Sequence, residues 1–197
     1  KRTNAWKKYQ DEDKRKAVYD FAEGYRIFLS ENKTERECAA FFVEEAKRAG
    51  FENLDEVIAA GKTLKAGDKV YAMNKKKMVA AFVIGKRPIS EGMRILGAHI
   101  DSPRLDLKQN PLYEDTDMAL LDTHYYGGVK KYQWVTLPLA LHGVIAKKDG
   151  SVIDVCVGEK EDDPVFGVSD LLIHLSSEQL DKKASKVIEG EDLNVLV

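Results

Sequence analysis

Nine residues constrain this chain more than any others. The run MRILGAHID, residues 93–101, carries apolar side chains at nearly every position. A strand with one wet face alternates apolar and polar residues. A nearly continuous apolar run reads instead as a strand buried on both faces, of the kind found in sheets covered by helices. An α/β arrangement is therefore expected around it.

The preceding sequence supplies the helices. In DEDKRKAVYDFAEGYRIFLSEN, Val18, Phe21, Ala22, Tyr25, Phe28 and Leu29 recur at helical spacing, which predicts one buried face. Thr34 stands three residues before Glu37, the pattern of a capping box, and predicts a second helix with Cys38, Phe41, Phe42 and Ala46 on one side. Gly50 is a suitable stop. A short helical stretch follows near 54–60. KVYAM and MVAAFVIG then predict a hairpin across NKKK. Lys75, Lys76 and Lys77 read as a solvated turn rather than a phosphate site, since no glycine-rich loop or interleaved aromatics accompany them.

Beyond residue 106 the texture changes. LDLKQNPLYED, MALLDTHYYGGV, YQWVTLPLALHGVIAKK and VIDVCVGE read as strands punctuated by NP, GG, KKDG and EKEDDP. VSDLLIHL and SSEQLDKKASK are less regular. The expectation is an α/β unit over 1–106 and a mostly β unit over 107–197.

Composition excludes several classes. With 197 residues and 44% hydrophobic content the chain can bury one sizeable core or two small ones. A net charge of -2 lacks the basic surplus of a nucleic-acid binder. No apolar run approaches the ~20 residues that span a bilayer, so no membrane partner is expected. The opening KRTNAWKKYQDEDKRK lacks the apolar core of a signal peptide. Cys38 and Cys156 form neither a CxxC knuckle nor a disulfide framework, and a cytoplasmic location is the simplest reading. The chain opens on Lys1 and stops in NVLV, so a piece of a longer protein is expected.

Four histidines are candidates for chemistry. His99 closes the apolar run, at the strand end where α/β sheets place ligands. Asp101, two residues on, leaves the same side of an extended backbone. A carboxylate there can fix the tautomer of a metal-binding imidazole. The pair reads equally as a strand-end histidine satisfied by its neighbour. Small Gly97 and Ala98 would admit a close neighbour. If DLLIHLSS is a strand, His174 shares a face with Leu172, and it reads as an edge or partly buried histidine with one backbone partner. His124 beside Tyr125, and the set Tyr126, Tyr132 and Trp134, could line a pocket or cover a core. His142 has no supporting pattern. GxSxG, GxGxxG, GxxxxGK[ST] and HExxH are all absent.

The string GAHIDSPRLDLK, with NPLYED and THYYGGVKKYQWVTLPLALHGVIAKKDG after it, resembles the aspartyl aminopeptidase and vacuolar aminopeptidase I family of dizinc exopeptidases, the bacterial branch above all. The resemblance runs over essentially the whole chain. It implies part of a zinc-exopeptidase α/β sheet domain, with a mostly β dimerisation domain inserted into it. It also implies dimers assembling to a tetrahedral dodecamer that removes N-terminal residues from peptides through a metal-activated water. By carry-over His99 is a zinc ligand, and Asp101 is the catalytic-site aspartate that orients the metal-site imidazole. LLIHL resembles the family segment whose histidine enters the dimer partner's site, so His174 would contact substrate there.

The resemblance also marks a departure. The family's bridging aspartate, adjacent glutamates, further aspartate and last histidine do not occur before Val197. One histidine cannot hold two zinc ions, because a zinc site takes three or four protein ligands. The chain alone is expected to be inactive. It needs the missing C-terminal portion of the catalytic domain, or else it is a non-catalytic oligomerisation fragment of such an enzyme.

Overall fold

The computed structural model describes residues 2–197. It is a mixed α/β protein whose chain divides into two compact units, one ending at Asp101 and the other Ser102–Val197.

In the first unit a 3-10 turn, Ala5–Lys8, precedes helix α1, Glu12–Glu31. Asp11 caps it by accepting the Lys14 N–H at 3.1 Å, and Glu12 and Asp13 favour the positive end of the helix dipole. Helix α2, Glu35–Arg48, carries the expected capping box: Thr34 Oγ1 accepts the Glu37 N–H, and Glu37 Oε2 accepts the Thr34 N–H. The two helices meet through Phe28, whose ring lies 4.8 Å from that of Phe41 and 5.3 Å from that of Phe42.

A short strand β1, Glu52–Asn53, leads into helix α3, Leu54–Ala59. Strands β2, Lys69–Asn74, and β3, Met78–Val83, form the expected antiparallel hairpin, with β1 parallel to β2 on the other side. Lys75 and Lys76 both take positive φ, as in a type I′ turn, so the lysine run is a tight chain reversal. Helix α2 packs on this hairpin and α3 on β1 and β2. Their buried apolar residues are Cys38, Ala39, Val43, Val57, Val70 and Tyr71. Burying Val70 contributes about 1.5–3 kcal/mol.

The second unit is mostly β. Strands β4, Arg104–Asp115, and β5, Met118–Tyr126, pair across a tight turn at Thr116 and Asp117, both at positive φ. The register shifts between Leu107 and Leu112, around Pro111, which has no N–H to offer the ladder. NP therefore marks an irregularity within one strand and not a reversal. Strands β6, Leu141–Ala146, and β7, Val152–Val157, form a separate pair. Strand β8, Val195–Leu196, joins the edge of β5. Val135, Phe166, Val168, Ile188, Leu193 and Val195 form the core, with Tyr125 and Trp134 packed against it.

Four expectations need correction. The apolar face of α1 is not buried against the described residues: none of its residues is buried, and Phe21 and Tyr25 are exposed. Residues 93–101 form no strand, and Ile95 and Leu96 are 78% and 100% exposed. A strand exists only through its neighbours, and none of the described residues pairs with this run. Residues 168–175 are likewise not a strand. Ile173–Leu175 is a single 3-10 turn closed by the Leu175 N–H on the Leu172 carbonyl at 2.8 Å. Of the segment 132–148, only Leu141–Ala146 is strand, because the chain before it spends its hydrogen bonds on isolated bridges at Val135 and Leu139. Among the described residues no helix is long and apolar enough to cross a membrane.

Candidate metal centre

The chain leaves the β3 hairpin through the loop 86–92 and reaches His99 by way of the unpaired apolar run. His99 Nδ1 lies 2.9 Å from Asp101 Oδ1 and 3.1 Å from the Asp101 carbonyl oxygen. Both partners are acceptors, so Nδ1 is the protonated nitrogen of the ring. In the neutral imidazole the lone pair then sits on Nε2, the arrangement of a metal-binding histidine with a carboxylate behind it. The His99 side chain is 84% exposed and that of Asp101 35%. Nε2 is thus open to an incoming ligand. Gly97 would have open space around an added Cβ, so none of the described residues makes use of its small size.

The donor set tests whether zinc fits. One imidazole nitrogen, held in the right tautomer by a carboxylate, suits a single zinc ligand. Among the described residues no group of three or more His, Cys, Asp or Glu is placed to hold a metal ion. The residues fit one ligand position and do not make a closed site.

The other candidates lie elsewhere. His174 is exposed on its 3-10 turn, flanked by exposed Leu171, Leu172, Ile173 and Leu175, with no hydrogen-bond partner among the described residues. His124 is exposed on β5 and stacks on Tyr125, ring centres 5.4 Å apart. His142, on β6, is almost buried, and its Nε2 donates to Glu159 Oε1 at 2.8 Å, a structural pairing. The aromatic set is dispersed. Trp134 joins the core, Tyr132 faces solvent, and the Tyr126 ring lies 4.1 Å beneath the Arg104 guanidinium. Arg104 in turn donates through Nε to Asp106 Oδ1 at 2.7 Å. Sequence reasoning missed the Arg104–Tyr126 stack and the His142–Glu159 pair, because both join residues remote in sequence. Cys38 and Cys156 are free thiols. Burial, with Glu37 and Glu35 nearby, pushes the Cys38 thiol up from its ordinary value, away from nucleophilic use.

A cavity of about 380 Å³ opens in the first unit, lined by residues that include Lys47, Phe51, Glu52, Glu56, Lys62 and Tyr71. Its lysines are paired, Lys47 with Glu44 and Lys62 with Glu52. None of the candidate histidines lines it.

A family model described as Aminopeptidase I zinc metalloprotease (M18) matches residues 28–196. A probable M18 family aminopeptidase 1 of Clostridium acetobutylicum is 63% identical over 194 residues, a match covering 98% of this chain and 42% of that protein. The crystal structure of an M18 aminopeptidase from Thermotoga maritima superposes with a TM-score of 0.88 at 39% identity, over 100% of this chain and 41% of that one. The crystal structure of aminopeptidase I from C. acetobutylicum gives 0.84 at 60% identity, over 99% and 42%. The S. cerevisiae mApe1 dodecamer shares the fold at 21% identity, with a TM-score of 0.67 over 92% of this chain and 39% of that one. This chain spans about 42% of the length of the curated relative it matches.

Proposed function

The chain belongs to the M18 family of aminopeptidase I zinc metalloproteases, and we propose that it supplies part of the active site of a zinc aminopeptidase acting on the free N-termini of peptides. The observation that carries this reading is the His99 Nδ1–Asp101 Oδ1 hydrogen bond of 2.9 Å, which leaves Nε2 open. His99 is the metal ligand, and Asp101 is the positioning residue that holds the ring and raises its basicity. The chemistry supplied by bound zinc is Lewis-acid polarisation of a carbonyl and a lower pKa for a coordinated water. Two ions per complete site are proposed, with the remaining ligands in a C-terminal portion of the catalytic domain.

Residues 1–106 then belong to the catalytic domain and 107–197 to a β-rich dimerisation domain inserted into it. The exposed apolar residues around His174 suit a subunit interface. His174 is proposed to reach the partner subunit's site and bind substrate there. The mApe1 dodecamer is the precedent for higher assembly of such dimers. The free thiols of Cys38 and Cys156 agree with a reducing, cytoplasmic compartment.

The test is a peptidase assay on this chain co-expressed with the remaining part of the C. acetobutylicum relative. Release of N-terminal residues from free peptides, and not from N-acetylated ones, supports the reading. A zinc-loaded complex without such activity would favour the non-catalytic oligomerisation role, which the lone metal ligand of this chain otherwise leaves as the second reading.

A further inference from the structure

Three elements wall the cavity of about 380 Å³ in the first unit: α2 with Lys47, α3 with Glu56 and Val57, and β2 with Tyr71. Phe51 and Ala60 add to its apolar side. Its charged lining is Lys47 and Lys62 against Glu52 and Glu56, so the charges cancel. One of these pairs is already spent. The Lys62 ammonium donates to both Glu52 oxygens, at 2.6 and 2.8 Å. Lys47 and Glu56 are not spent on each other. Lys47 gives one donor to Glu44, outside the lining, at 2.7 Å, and an ammonium has three. The Glu56 carboxylate has no hydrogen bond or ion pair among the described residues.

Tyr71 sharpens the picture. It is 5% exposed, and its hydroxyl has no hydrogen-bond partner among the described residues. Every fully buried side-chain oxygen among them is paired, so the hydroxyl is the part of Tyr71 that reaches the cavity. The Lys47 pKa is raised, first by its hydrogen bond to Glu44 and further by Tyr71 and Glu56, which puts both within electrostatic reach of the ammonium. A donor, a second donor and an acceptor thus face one small space with an apolar wall.

We infer that this cavity binds a free α-amino acid with an apolar side chain: its ammonium on Glu56, its carboxylate on the Lys47 ammonium and the Tyr71 hydroxyl, its side chain against Phe51, Val57 and Ala60. The balanced charge favours a zwitterion. A phosphate would meet the Glu56 carboxylate, and a polyamine would meet Lys47. The volume lies near the lower end of the roughly 300–1,000 Å³ of ligand pockets, which suits one residue rather than a peptide. Lys69 Nζ lies 5.5 Å from the centre of the Phe51 ring and helps to fix that wall. The site uses neither His99 nor Asp101, so the inference does not rest on the proposed function.

The experiment is calorimetric titration of L-leucine into the 197-residue chain and into its complex with the co-expressed remainder of the C. acetobutylicum relative, both with chelator. Saturable binding with a Kd of about 1 mM or tighter is expected in each. Leucinamide lacks the carboxylate and 4-methylpentanoate lacks the ammonium, and each should bind at least about 10-fold more weakly. Glu56→Gln should weaken L-leucine by a similar factor. Tyr71→Phe keeps the ring packed and should weaken it about 2–10-fold. His99→Ala should bind L-leucine as the parent does. Absence of saturable binding would overturn the inference. So would leucinamide as tight as L-leucine, displacement by inorganic phosphate, or affinity unchanged in both Glu56→Gln and Tyr71→Phe. Binding lost in His99→Ala would place the amino acid at the metal centre instead. A complex that binds L-leucine as expected but has no peptidase activity would count against the proposed function alone.

Discussion

Asp101 accepts the Nδ1 proton of His99 at 2.9 Å, with one residue between them in sequence. In the proposed arrangement Asp101 would orient the ring, and His99 Nε2 would coordinate the metal. Asp101→Asn retains an oxygen for the ring but removes the charge that raises its basicity. In the complex with the co-expressed remainder, zinc affinity should fall about 10–100-fold, read by titration against a metal-buffered indicator. Asp101→Glu should restore part of it. Unchanged affinity in Asp101→Asn would show that the carboxylate does not act through the imidazole.

Thr123 is a stability test in the second unit. It is 1% exposed, and its hydroxyl donates to the Leu193 carbonyl at 2.6 Å. Thr123→Val keeps the shape and leaves that carbonyl unsatisfied, which should destabilise the unit by about 1–3 kcal/mol. Thr123→Ser, which keeps the hydroxyl, should lose less. Urea unfolding followed by intrinsic fluorescence distinguishes the two.

Asp163 gives a pH dependence with a defined sign. Its Oδ2 accepts the Gly158 N–H at 2.9 Å and the Lys160 N–H at 3.2 Å, and these bonds hold its carboxyl below the ordinary value of 3.8. A lowered folded-state pKa contributes stability above the unfolded-state value and loses it as pH falls through the folded one. The advantage of the parent over Asp163→Asn should therefore be present at neutral pH and shrink below the ordinary carboxylate value. Unfolding curves at pH 7 and pH 3 measure it. An advantage that grows at pH 3 would contradict the assignment.

Much of the fold was legible in local signals. The Thr34–Glu37 box and the Lys75–Lys76 turn are decided by neighbours within four residues, and both formed as expected. Two runs, 93–101 and 168–175, formed no strand. Apolar patterning states that a segment can be covered but not by what: none of the described residues pairs with 93–101, whereas in 168–175 Val168 bridges Val135 in the core and the exposed residues after it close a 3-10 turn. Of the candidate site, one pair was legible. The i, i+2 relation of His99 and Asp101 is local, whereas the other ligands would come from distant chain. His142 carried no local pattern, because its partner Glu159 lies 17 positions away.

His174 tests the assembly. His174→Phe should lower turnover of the reconstituted enzyme while leaving its zinc content unchanged. Mixing it with His99→Ala should restore part of the activity, since a mixed dimer would hold one site with both residues intact. No recovery in mixed dimers, confirmed as mixed by mass, would remove His174 from the partner's site.

The most direct measurement is the zinc content of the complex between this chain and the co-expressed remainder, with His99 intact and as His99→Ala, after dialysis against a metal buffer. The account predicts zinc in the parent complex, loss of at least one ion in His99→Ala, and no peptidase activity in that variant. His99→Ala with full zinc occupancy and the parent's rate would contradict the assignment of His99 as a metal ligand.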